Sequence, residues 1–388
     1  MNALLETARR IANEVAAPNA AAVDVESRFP AEAMDALKQA GLLGALVPRE
    51  LGGPALDFAT VFAICHLLGR HCASTAMIFA MHQIQAACIL LHHRNVEWQR
   101  NFLRRIAGEQ LLLASATTEA GIGGDLSRSS CAVIRDGSRF TVEKRGTVIS
   151  YGDQADAVLI TARTGPDSLP TDQVIVVALK EDSTLERTGG WDALGMRGTC
   201  SNSYLLRAQG HVDQVIPEPY AEISPRTMVP VAHLTWSSLW LGIATDAVSR
   251  ARGFVRKQKQ PVGEGMPPST NAMRLATAVS QLQAMKANIV AAARLYETAL
   301  KSPEGVTALS FSIAMNNIKT STAYRAVEVI NQALLICGIA GYKNDTPFSV
   351  GRHLRDAHSA ALMVNNDRID ANTASLLRVH KLDGDLFD

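Results

Sequence analysis

The sequence is poor in aromatics, which make up 5% of its 388 residues, and it has almost no net charge, with 38 Lys and Arg against 37 Asp and Glu. It contains no basic stripe or arginine-rich run, so a nucleic-acid surface, which needs clustered cations, is not expected. Its six cysteines (65, 72, 88, 131, 200 and 337) include no C-x-x-C pair and read as small apolar residues in a reducing compartment. The opening "MNALLETARRIANEVAAP" is charged from its first turn and lacks the apolar core of a secretory signal. No apolar run approaches bilayer length ("AMIFAM" is typical), so no membrane span is expected and the chain reads as cytoplasmic. A phosphate-binding G-x-x-x-x-G-K-[ST] loop and a nucleophile elbow are also missing. His66, His71, His92 and His93 have no Cys or Glu companions at metal spacing, so no metal site is expected.

What the chain does have is apolar residues, 47% of the total, enough for a large core and two or three domains. Helical periodicity runs to about residue 112, as in "AEAMDALKQAGLLGALVP" and the nearly all-apolar "STAMIFAMHQIQAACILLHH". From 113 to 226 short Val/Ile/Thr-rich runs alternate with turn residues, and Asp136-Gly137 is a hairpin signal. From 227 onward long amphipathic segments return, the first two separated by "PVGEGMPPST". The expected fold is therefore α+β and multidomain. It comprises an N-terminal helical domain (1–112), a central antiparallel β barrel or sandwich (113–226) and a C-terminal four-helix bundle (227–388).

Several segments carry chemistry. In "TTEAGIGGD" (117–125), the Thr117 and Thr118 hydroxyls leave a strand end where they can meet a polar ring edge. The glycines, Gly123 and Gly124 among them, let backbone N–H groups approach a phosphate or ring. As plain sequence, this is also an ordinary tight turn. "GMRGTCSNS" (195–203) precedes a strand, "CGIAGY" (337–342) ends a helix, and "RHLRDA" (352–357) follows it. "MVNND" (363–367) closes an apolar run with residues that suit a helix cap.

In order and spacing these segments resemble the acyl-CoA dehydrogenase family of flavoproteins, whose signatures are close to T-E-P-G-A-G-S-D, G-M-R-G-S, G-G-x-G-Y and R-D-A. The resemblance covers essentially the whole chain and implies FAD as cofactor. It places Thr118 at the flavin pyrimidine edge and the Thr117 backbone against the ring. Val148 and Ser150 of "GTVISYG" match the strand that packs on the flavin, with Val148 in an aromatic's place and Ser150 in a threonine's. Gly124 stands where the family has Ser, and Ala120 where it has Pro. By the same resemblance, Arg256, Lys257 or Lys259 would reach a neighbouring subunit's flavin pyrophosphate, and Gly338 and Gly341 its adenosine half. Asn366 and Arg368 match positions that touch flavin in relatives. A homotetramer or homodimer follows from this sharing of the cofactor.

The family's reaction removes the α-proton of an acyl thioester with a carboxylate while hydride leaves the β-carbon for the flavin. Counting from Arg355-Asp356-Ala357, the usual Glu position falls on Val364, which cannot accept a proton. The alternative Glu position, on the first long helix of the bundle, falls near Ala232, beside His233. Three readings stay open. The first is an acyl-CoA or acyl-carrier-protein dehydrogenase with Asp367 or His233 as a relocated base, Val364 donating its backbone N–H to the thioester carbonyl, and an electron-transfer flavoprotein as acceptor. The second is a flavin monooxygenase of the same fold. The third is a non-catalytic flavoprotein or interaction subunit, which leaves the polar "NND" unexplained.

Overall fold

The computed structural model describes residues 3–122, 125–258 and 269–381. Its first part is helical. Helix α1 (Ala3–Ile11) passes through a single π-helical turn into α2 (Ala17–Val25), followed by α3 (Ala31–Gln39), α4 (Phe58–Gly69), α5 (Ala73–His92) and α6 (Glu97–Glu109). Asp57 caps α4 by accepting from the Thr60 N–H at 2.8 Å. Helix α5, apolar on nearly every side, is the one described helix long and apolar enough to cross a membrane. Most of it is instead covered by α4, by strand β1 (Leu113–Ala116) and by the long helix α8 (Val229–Lys257).

The central part is two small sheets. One has three strands in the order β1, β4 (Ala157–Arg163), β5 (Gln173–Leu179). The other has four, in the order β2 (Ile134–Asp136), β3 (Arg139–Ile149), β7 (Asn202–His211), β6 (Ser183–Gly189). The expected hairpin is present, Asp136 pairing with Arg139 across Gly137, whose φ is +56°. One pair departs from the antiparallel expectation: β1 and β4 run parallel. The hairpin and β3 lie between them in sequence, which gives the chain the long crossover a parallel pair requires. Along β3 buried and exposed residues alternate as far as Thr147; a register shift between Gly146 and Ile149 then turns Val148 outward, 39% exposed.

The last part is helical again: a short α7 (Tyr220–Ile223), α8, α9 (Thr270–Ala299), α10 (Pro303–Thr307), α11 (Leu309–Cys337), α12 (Ile339–Tyr342), α13 (Gly351–His358) and α14 (Asn366–Leu377). Helices α8, α9 and α11 pack on one another, and the shorter α14 lies on α11 as the fourth member of the bundle. Helix α4 also crosses α8 at backbone contact, because a Cβ on Gly242 would stand 2.4 Å from the His66 carbonyl oxygen. That crossing fuses the N-terminal helices to the bundle.

Two polar ties set the three parts against each other. The Leu113 N–H donates to His82 Nδ1 at 3.1 Å, so the ring proton is on Nε2, which donates to the Leu43 carbonyl at 2.7 Å. Burial pushes this imidazole down to about 4, keeping it neutral. At the other end, Arg355 and Asp356 of the R-D-A segment do not pair with each other. Arg355 grips Asp24 of α2 and donates to the Leu194 carbonyl at 3.0 Å, while Asp356 accepts the Met196 N–H at 2.7 Å.

Candidate functional site

A cavity of about 530 Å³ opens where the three parts meet. Its walls come from α5, the end of β1, the bulged end of β3, the 191–201 segment, the start of α8, and the stretch from α13 to α14. Each wall has a local cause. Gly195 admits the 191–201 segment because a Cβ there would lie 2.2 Å from the Arg355 carbonyl oxygen. The β3 bulge presents Val148, and the Thr118 hydroxyl fastens its backbone, donating to the Val148 carbonyl at 3.0 Å and accepting its N–H at 3.2 Å.

Of the residues predicted from sequence, Thr117, Thr118, Val148, Ser150, His233, Val364 and Arg368 line this one cavity. Gly123, Gly124 and Lys259 lie outside the described residues. Arg256 and Lys257 end α8 in exposed positions away from the cavity, with Lys257 Nζ 5.1 Å from the Phe348 ring centre. Phe348 also packs edge-on against Phe254, so the end of α8 meets the segment that follows Gly338 and Gly341. Gly338, at φ +56°, ends α11, and Ile339 and Tyr342 beside it are 74% and 75% exposed.

The "NND" stretch divides into three roles. Asn365 is the cap of α14, its Oδ1 accepting the Asp367 N–H at 2.7 Å. Asn366 is buried and turned away from the cavity, its Oδ1 accepting from Lys319 Nζ at 2.6 Å. Asp367 is exposed in the first turn of α14 and does not line the cavity. Val364 has φ +44°, an unusual conformation for a β-branched residue, and its carbonyl accepts from Lys319 Nζ at 2.8 Å. The Val364 N–H makes no hydrogen bond with a described residue.

Lys319 was not legible as a site residue, because a lone lysine in an amphipathic helix reads as solvated. It has no exposed surface, and burial lowers its pKa to about 7, opposed only by the more distant Asp370 carboxylate.

His233 Nδ1 lies 2.8 Å from the Met315 carbonyl oxygen. A carbonyl only accepts, so Nδ1 carries the proton and Nε2 keeps its lone pair. Burial first, and the Lys319 charge after it, hold this imidazole down at about 4. No Asp or Glu is among the described residues lining the cavity, and no described cluster of His, Cys, Asp and Glu could hold a metal ion.

A chain of hydroxyls crosses the wall. Thr199 donates to the Met196 carbonyl at 2.8 Å, Ser201 lies 2.7 Å from Thr199, and Ser150 lies 2.8 Å from Ser201. Each hydroxyl has one proton. Thr199 gives its own to the carbonyl, so Ser201 must donate to Thr199 and Ser150 to Ser201. Ser150 is left with lone pairs only on its cavity side. An apolar strip at Val148 flanked by hydroxyl acceptors at Thr118 and Ser150 fits a flat ring that carries an N–H on its edge and gains another on reduction, as a flavin does.

Family models agree with this architecture. Residues 1–110 match the acyl-CoA dehydrogenase N-terminal domain and residues 231–364 the C-terminal domain, together well over half of the chain. The chain is 28% identical to cyclohex-1-ene-1-carbonyl-CoA dehydrogenase of Geobacter metallireducens, over 94% of each sequence. Among solved structures it is similar to FMN-bound TdsC, a dibenzothiophene monooxygenase of Paenibacillus sp. A11-2, with a TM-score of 0.86, 19% identity and full coverage of both chains. It is also similar to butyryl-CoA dehydrogenase of Megasphaera elsdenii, with a TM-score of 0.78, 20% identity and 97% of each chain covered. With both terminal domains matched and the same fold throughout, the chain belongs to the acyl-CoA dehydrogenase family of flavin-dependent oxidoreductases.

Proposed function

We propose that this protein is an FAD-dependent enzyme that removes hydrogen across the α,β carbon–carbon bond of an acyl thioester carried on CoA or a carrier protein. The observation that carries this reading is a pair of groups lining one cavity, the Val364 N–H, which bonds to no described residue, and the fixed lone pair of His233. The Val364 N–H would donate to the thioester carbonyl and acidify the α-carbon. His233 Nε2 would take the α-proton as it leaves. With a pKa of about 4, this imidazole is about as basic as an ordinary carboxylate, the group it replaces. Bound flavin supplies the acceptor for the β-hydride. Thr118 would hold the ring by accepting its pyrimidine N–H and Val148 by apolar contact, while Ser150 would accept the N–H that the ring gains on reduction.

Electrons would then pass to an electron-transfer flavoprotein. Exposed Ile339 and Tyr342 beside Gly338 and Gly341 support a homotetramer or homodimer that completes the cofactor site. The test is anaerobic mixing of the purified yellow protein with acyl-CoA thioesters. Loss of flavin absorbance supports the reading, and His233→Ala should slow it about 100-fold or more. Bleaching at an unchanged rate in that variant would remove His233 from its role.

A second reading is favoured by the absence of a carboxylate from the described cavity wall and by the likeness to TdsC: hydroxylation of an aromatic ring by reduced flavin and oxygen. A hydroxylated product formed from an aromatic heterocycle with reduced flavin and oxygen, without bleaching by any acyl thioester, would favour it.

A further inference from the structure

Lys319 is a buried cation that no described carboxylate pairs with, and both of its hydrogen bonds go to one short segment. Its ammonium donates to the Val364 carbonyl at 2.8 Å and to Asn366 Oδ1 at 2.6 Å, and it lies 5.8 Å from the centre of the Trp240 ring. Taking an ammonium out of water without a counter-charge is unfavourable, so it persists only where well-placed acceptors replace the lost hydration. The acceptors here flank Asn365, the cap of α14, and include the carbonyl of the one residue in this segment held at positive φ.

The geometry has a consequence for the cavity. A peptide carbonyl and the N–H of the same residue point in different directions, and at φ +44° their relation is fixed by that single torsion and its neighbour. With its carbonyl drawn toward α11, Val364 leaves its N–H outside the bundle's hydrogen bonds. Without Lys319, nothing described holds that carbonyl, and a β-branched residue would relax to negative φ.

We propose that Lys319 is a positioning residue of the site: it holds the Val364 carbonyl against α11 so that the Val364 N–H stays available to the carbonyl of the bound acyl group. The inference rests on the acyl-thioester reading for the identity of that acceptor. It assigns Lys319 no contact with substrate, and Lys319 is not among the residues lining the cavity.

The test compares wild type with Lys319→Met, which keeps the stem and removes the ammonium, and Lys319→Arg, which keeps the charge. Each purified flavoprotein is mixed with a cinnamoyl thioester, whose absorption moves to longer wavelength when its carbonyl accepts a strong hydrogen bond. The expected result is a red shift in wild type, its loss in Lys319→Met, and partial return in Lys319→Arg. Flavin bleaching by a saturated acyl thioester should fall about 100-fold in kcat for Lys319→Met, with KM changed far less. A red shift that survives in Lys319→Met overturns the proposal. Should Lys319→Met not fold, Lys319→Gln answers the same question. If wild type binds no acyl thioester, the substrate reading fails, and amide exchange across residues 362–367 decides the role of Lys319. Faster exchange in Lys319→Met, restored in Lys319→Arg, supports it, and unchanged exchange overturns it.

Discussion

Arg355 Nη1 lies 2.9 Å from Asp24 Oδ1, a contact that joins α13 to α2 across nearly the whole length of the chain. The second guanidinium nitrogen faces the other carboxylate oxygen, making the pair bidentate, and Arg197 donates to the Asp24 carbonyl at 2.8 Å. The ion pair therefore braces the cavity wall that contains both Leu194 and Arg355. Removing one partner strands a largely buried charge. Asp24→Ala should cost roughly 2–3 kcal/mol, reduced from the fully buried case because the Arg355 side chain is 31% exposed. Urea denaturation at neutral pH measures it, and a loss below about 0.5 kcal/mol would contradict the bracing role.

Acid should unfold the protein through its buried histidines. His82 and His233 are both held down to about 4 by burial, from an ordinary value of 6.5. The unfolded chain takes up these protons first, so these two histidines leave stability unchanged above pH 6.5 and lower it as pH drops from 6.5 toward 4. Each histidine contributes on the order of 3 kcal/mol to that loss. Urea midpoints measured across this range should decline, and more gently in His82→Gln.

The one-way hydroxyl chain makes a redox prediction. Reduced flavin carries an N–H where the oxidised ring has a bare nitrogen, and Ser150, with its proton committed to Ser201, can only accept. Ser201→Ala frees the Ser150 proton, so the oxidised ring gains a donor. The midpoint potential should fall by on the order of 20 mV, the worth of about one hydrogen bond in a two-electron couple. A potential that rises or stays constant in a dye-equilibrium titration would contradict the assigned direction.

The two ends of "NND" should respond differently to mutation. Asn365→Ala removes the cap of α14 and should cost about 1 kcal/mol. Asp367→Asn changes an exposed residue outside the cavity and should leave both stability and bleaching rate near wild type. A large fall in rate for Asp367→Asn would restore it as a candidate base.

Much of this architecture was legible because it rests on local pattern. The switch from helical to strand periodicity near residue 113, the hairpin at Gly137 and the return to long helices after 227 follow from side-chain spacing and turn chemistry. The parallel pairing of β1 with β4 was not, since register between distant strands is a matter of which apolar faces meet. The site was half legible. Thr117, Thr118, Val148, Ser150, His233 and Val364 come from four separate stretches yet line one cavity. Lys319 escaped notice because burial, not identity, gives it its character.

By itself, the sequence determined the order of helical and β parts, the motifs that mark the family, and a valine, with no carboxylate, at position 364. Those are matters of residue type and spacing. Tertiary structure alone decided that Asn365 is the cap, Asn366 the partner of a buried lysine and Asp367 a bystander to the cavity. It also decided that His233 keeps its lone pair on Nε2. Tautomer, burial and the direction of a hydrogen bond depend on groups brought together from distant parts of the chain, and no local pattern encodes them.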